Sequence, residues 1–233
     1  MMDKDRVSIQ PWTITRTLIL IAVSLILASV AGQIAKLGWG IERAGGLIPG
    51  FDLDREGNFP TWYQAASLGL CAGLLALAAA VARSRGERGA WRWHLLALIF
   101  LGFSVDEITS VHEMLGEAMR RRFHLSNWLY QGWVIPGALF VVFMAVAYGR
   151  FLMELPPKIR RLFIVAAILY VGGAMGVEIV GGHFVSDLGV EHWSWAVLTT
   201  LEECLEMVGV IVFIHALLTH LGQREASFYI RKT

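Results

Sequence analysis

The chain has 233 residues, of which 56% are apolar, with a formal net charge of +1 and two cysteines. The apolar residues come in long blocks, which is a membrane composition rather than the short stripes of a soluble core. Lys and Arg are scattered through several short segments, which argues against nucleic acid as a partner. Cys71 and Cys204 lie inside apolar stretches, too few for a disulfide framework or a thiolate zinc site, and read as small buried hydrophobes.

From the N-terminus, Met1 to Arg16 is polar and of mixed charge. The apolar run after it is too long for a signal-peptide core, so it reads as a retained first span. A span needs about 20 mostly apolar residues, and six segments qualify, at about residues 17–35, 62–82, 94–111, 133–149, 162–182 and 193–218. No polar segment between them can bury a core of its own. The expectation is an all-α, polytopic transmembrane helical bundle of about six helices forming one domain over residues 1–233.

Charge orients it. Lys4, Arg6, Arg16, Arg83, Arg85, Arg88, Arg92, Arg150, Lys158, Arg160, Arg161, Arg224, Arg231 and Lys232 fall on one side, 14 of the 20 basic residues. Lys36, Arg43, Arg55 and the run Arg120 to Arg122 fall on the other, so the positive-inside rule puts the N and C termini in the cytoplasm, with the Arg120 run as the dissent. All nine tryptophans stand near predicted span ends, as an interfacial belt requires.

The first outer loop contains Phe51-Asp52-Leu53-Asp54-Arg55-Glu56-Gly57-Asn58, acids at alternate positions followed by glycine, as in the first half of a calcium-binding EF-hand loop. The place of the bidentate glutamate is taken by Tyr63, so a solvated turn is favoured over calcium, and Pro60, Thr61 and Gln64 mark a helix start. In the fifth span Gly172 and Gly176 have the small-xxx-small spacing of helix packing.

Three spans carry acids. Span three has Asp106, Glu107, His112 and Glu113; span five ends in Glu178 and His183; span six has Glu202, Glu203 and Glu206. At a rise of about 1.5 Å per residue these fall at one depth in the outer half. Asp106, Ser110 and Glu113 share one side of span three, and Glu202, Glu203 and Glu206 one sector of span six. No Lys or Arg sits within a span at that depth, so the carboxylates are either protonated or share a cation.

For a metal, Asp106, Glu113, Glu178, Glu203 and Glu206 are the ligand candidates, with His112 and His183 as ligands or acid–base groups. That set, rich in oxygen and without thiolate, suits a divalent Mn, Fe, Mg or Ca ion. The Glu-x-x-His pairing of di-iron bundles is absent, because His112 directly precedes Glu113. A proton or cation pathway needs only interacting carboxylates, and acids hydrogen-bonded between helices need no ligand at all.

The motifs Phe51-Asp-Leu-Asp-x-Glu-x-Asn-Phe-Pro-Thr-Trp62, Asp106-Glu-x-x-x-x-His-Glu113 and Glu202-Glu-x-x-Glu-Met-x-Gly209 together resemble a group of uncharacterised bacterial polytopic membrane proteins. The resemblance implies a bacterial inner (cytoplasmic) membrane and no activity, substrate or catalytic residue. Function is expected from the site: a divalent-metal site, in a membrane metalloenzyme for a lipid-soluble or periplasmic substrate; a proton- or cation-coupled transporter; or an accessory subunit of a larger membrane complex. The expected partners are membrane lipids, with a homo-oligomer or larger complex open.

Overall fold

The computed structural model describes residues 10–188 and 192–230. Among them there are helices and no strands. Pro11–Trp39 forms α1, closed at Gly40, whose left-handed φ of 67° turns the following N–H, that of Ile41, onto the Ala35 carbonyl at 3.1 Å. A one-turn helix α2 (Leu47–Phe51) leads into the 52–58 loop and then α3 (Phe59–Ser84). The cap of α3 is Asn58, whose side chain accepts from the Thr61 N–H at 3.2 Å and donates to the Asp52 carbonyl at 2.6 Å.

A turn at Gly86 reverses the chain into α4 (Ala90–Thr109). The sequence predicts that this span continues to Val111 with Asp106, Ser110 and Glu113 on one side. Instead the helix breaks at Ser110, left-handed at φ 49°, and restarts as α5 (Val111–Phe123), bent by 70°. The cause is local: Asp106 captures the backbone N–H and ring Nδ1 of His112 at 3.0 and 2.7 Å, which caps the new helix. The Arg120 to Arg122 run therefore lies on a side helix, where Arg121 pairs with Glu117 and Arg120 stacks over Tyr130.

Next come α6 (Val134–Glu154) and α7 (Pro157–Val171), then a π-helical stretch at Gly172–Val177, α8 (Glu178–Leu188) and the long α9 (Trp193–Ile230). Among the described residues five stretches are long and apolar enough to cross a bilayer, and the bent α4–α5 pair brings the number to as many as six. The core lies between α3, α4, α7 and α9, where Leu68, Leu75, Ile159, Ile214 and Leu217 are fully enclosed. Helix α1 leans on α9 through Thr15 and His215, 2.9 Å apart.

The close glycine contacts are not at the pair that the sequence spacing predicts. A Cβ on Gly172 or Gly176 would meet nothing, whereas on Gly173 it would lie 2.8 Å from the Glu202 carbonyl and on Gly209 2.8 Å from the Tyr170 nitrogen. The π-helical turn changes the angular spacing, so the close approach of α9 uses the neighbour of the expected pair.

Candidate functional site: a carboxylate-headed cavity

One cavity, of about 780 Å³, runs along the bundle between α4, α6, α7–α8 and α9. At the end of the bundle where the 52–58 loop lies, its wall carries Asp106, Glu107, His112 and Glu113 from α4 and α5, Glu178 from α8, and Glu202, Glu203 and Glu206 from α9. The positions expected at one depth are thus neighbours around one chamber. The exception is His183, whose ring stacks flat on Trp128 at 4.7 Å and is not part of the cavity wall.

Each acid is placed by its helix. Trp195, Thr199, Glu202, Glu203 and Glu206 recur at three- and four-residue steps, so a single face of α9 lines the chamber. Glu178 opens α8, just beyond the π-helical stretch, and is 9% exposed. The Trp133 indole N–H is turned toward Glu178 but has no hydrogen-bond partner.

Two acids that the sequence reading assigned to a solvated turn belong here. The loop lies over the chamber with Asp54 and Glu56 on its wall, two residues apart, while Asp52 turns away to accept from the Gln33 amide at 2.7 Å. Asp54 also accepts from the Trp195 indole at 2.9 Å, which ties the loop to α9. Alternate acids on an extended segment face one way. The spacing that imitates half an EF-hand is the signal that could have found them.

Burial pushes the Asp54 carboxyl up to about 6, with the Asp52 charge adding to this and the Trp195 hydrogen bond opposing it. Glu56 is raised as well, first by burial and then by the Glu113 charge. Both stay within reach of solvent, as side chains lining an open concavity do.

Charge in the chamber is poorly compensated. Glu107 is within electrostatic range of Glu203, Glu56, Asp106 and Glu113, and Glu206 within range of Glu203, Glu202, Glu107 and Glu178. Among the described residues Asp106 has His112 as an ion-pair partner, but Glu107, Glu178, Glu202, Glu203 and Glu206 have none. The Thr199 hydroxyl, in a residue 8% exposed, has no hydrogen-bond partner either. Both groups lack the partners that buried polar atoms ordinarily have. A bare metal ion fits less well: among the described residues no three His, Cys, Asp or Glu side chains converge as ligands of one ion. The carboxylates ring the chamber instead of meeting at a point.

Comparison with curated proteins and with solved structures finds no match. A family model does match, over residues 15–221, which takes in every residue that lines the cavity. The chain belongs to the family described as a domain of unknown function, DUF8692.

Proposed function

We propose that the chamber binds a cationic group, and that the protein is a membrane protein whose work is done on the molecule carrying it. The observation that supports this reading is the ring of five glutamates, Glu107, Glu178, Glu202, Glu203 and Glu206, that share one cavity without an ion-pair partner. Isolated carboxylates in a low-dielectric setting are costly, and a cation placed among them offsets that cost for several at once. The width of the ring favours an ammonium group over a bare ion, because an ammonium fills more space and donates to several oxygens. The unpartnered Thr199 hydroxyl and Trp133 N–H suit an oxygen atom beside that ammonium.

A second reading is the divalent metal, Mn, Fe, Mg or Ca, held by Asp106, Glu113, Glu178, Glu203 and Glu206 with His112. In its favour is the oxygen-rich donor set with one imidazole on the same wall; it requires the glutamates to swing inward. The setting proposed for either is a bacterial inner membrane crossed about six times, with both termini cytoplasmic and the 52–58 loop periplasmic, supported by the one-sided distribution of Lys and Arg. Association with further copies or other chains belongs to the same proposal.

Protein reconstituted in lipid discs tests this with butylamine and with manganese. A rise in melting temperature with butylamine, lost in the Glu203→Gln, Glu206→Gln double variant, supports the ammonium reading. Metal at stoichiometric content, lost in the same variant, supports the second reading. No response to either probe overturns both.

A further inference from the structure

Beyond the carboxylates the cavity continues as an apolar limb. Its wall is Phe100 and Phe103 from α4, Met144 and Tyr148 from α6, Phe163 from α7 and Phe213 from α9. On α6 the lining residues recur at Gly137, Val141, Met144, Tyr148 and Leu152, so an entire helical face is turned inward. Yet α6 is hardly packed: only Val134 and Phe151 are buried along it. This face meets α4 at a few points, Phe140 against Phe103 and the Tyr148 hydroxyl donating to the Arg92 carbonyl at 3.1 Å, while Met144 and Leu152 are only partly buried; the space left between forfeits contact energy unless something fills it.

The dimensions identify the filler. From Phe140 to Leu152 the limb runs about 18 Å at a rise of 1.5 Å per residue, close to the ~15 Å of one hydrocarbon leaflet. Trp93 and Phe151, their rings 4.9 Å apart, stand at its far end. Along α7 the limb is not sealed, since Ile164 and Ile168 line it and are still 39% and 66% exposed. The bilayer itself therefore has access to it from the side. The polar end adds the second requirement: unpaired glutamates together with the Thr199 hydroxyl, more than nine-tenths buried and without a partner.

We infer that the ligand is a membrane amphiphile with an ammonium head and a long alkyl chain, entering sideways from the bilayer beside α6, with its head among Glu202, Glu203 and Glu206 and its chain in the limb. This rests on the cationic-group reading and names the molecule that carries the cation. The chain is drawn from lipid and not from water, so the limb selects by length and shape while the glutamates hold the head. A phospholipid anion is disfavoured by the same ring of carboxylates.

The test is photolabelling of the full chain in lipid discs with hexadecylamine carrying a diazirine at the chain end. Label is expected on Met144, Tyr148 or Phe163, displaced by excess unmodified hexadecylamine. The Ala145→Trp variant, which fills the limb, should lose at least fivefold of that label, whereas Val146→Trp, on the lipid-facing side of α6 at 79% exposure, should keep it. Displacement by butylamine with label only on Val142 and Val146 would overturn the amphiphile and leave the cationic-group reading standing. Labelling of the limb that the Glu203→Gln, Glu206→Gln variant does not change would overturn the ammonium head. Labelling that Ala145→Trp leaves intact would overturn the placement of the chain.

Discussion

Helices α3 and α6 are both apolar spans, of 26 and 21 residues, and they behave in opposite ways. Along α3, Leu68, Cys71, Leu75, Ala78, Ala79 and Ala82 are enclosed, while α6 encloses only Val134 and Phe151. The difference is side-chain size. Alanine, glycine and serine recur along α3 and let α4 come close enough for Ser104 to donate to the Ala65 carbonyl at 2.8 Å, whereas α6 offers mostly Phe, Val, Leu, Met and Tyr. Between apolar helices in lipid there is no water to expel, so association follows close approach and not hydropathy. One half of the bundle is a frame; the other holds a space open.

The sharpest way to break that comparison is to truncate one side chain from each half. Leu75→Ala in the frame should cost about 2 kcal/mol, the low end of the usual range because the cavity remains while the transfer from water does not enter. Met144→Ala, facing a space that already exists, should cost less than about 0.5 kcal/mol. Equal losses, measured by reversible unfolding in mixed micelles, would show that α6 is packed as tightly as α3.

A glycine pair sharpens the boundary between the halves at a comparable size of effect. Gly209→Ala puts a Cβ 2.8 Å from the Tyr170 nitrogen and 3.0 Å from the Ala166 carbonyl, backbone that cannot give way, and should cost about 1–3 kcal/mol. Gly172→Ala, which meets nothing, should stay within about 0.5 kcal/mol. If the two cost the same, the close α7–α9 contact is not where the structure puts it.

Much of this was legible in the residues. Long apolar blocks bounded by Trp and Arg give the spans, because hydropathy and the bilayer's fixed thickness leave little choice. That Asp106, Glu178 and Glu206 line one chamber agrees with the level the helical rise gives them along their helices. What the residues hide is of another kind. The break at Ser110 depends on Asp106 preferring the His112 backbone to its own helix, a choice between two local hydrogen-bond patterns that look alike in sequence. The inclusion of Asp54 and Glu56 depends on how the loop folds back over α9, fixed by the Asp52–Gln33 and Asp54–Trp195 contacts between residues far apart in the chain. The apolar limb has no sequence signal, since an inward apolar face looks the same filled or empty.

The loop that joins the two halves gives the next effect. Asn58 caps α3 and also donates to the carbonyls of Asp52 and Pro49. Asn58→Ala should cost about 0.5–2 kcal/mol in unfolding, and Asn58→Asp, which keeps the cap but loses the amide donor, should recover part of it. No difference between the two variants would mean that the retained cap adds nothing and that the amide bonds to the loop carry the whole effect; full recovery in Asn58→Asp would mean that the cap alone matters.

The smallest effect concerns the charge of that loop. Asp54 has its carboxyl pushed from the ordinary 3.8 up to about 6, chiefly by burial, with Asp52 beside it. A raised carboxyl pKa means that the folded protein holds the proton more tightly than the unfolded chain, so between about pH 4 and 6 the native state binds the extra proton and stability falls as pH rises. Above about 6 the loss is complete, and at neutral pH the loop carries a charge that its surroundings disfavour. Asp54→Asn removes that charge while leaving an oxygen to accept from the Trp195 indole. Its melting temperature should therefore exceed the parent's slightly at neutral pH and merge with it on acidification, with a flatter slope across the window. The gain should be smaller than any of the effects above, because solvent reaches the carboxyl and screens it. A melting temperature that instead drops at neutral pH in Asp54→Asn would show that the ionised carboxylate is held by a cation in the resting protein.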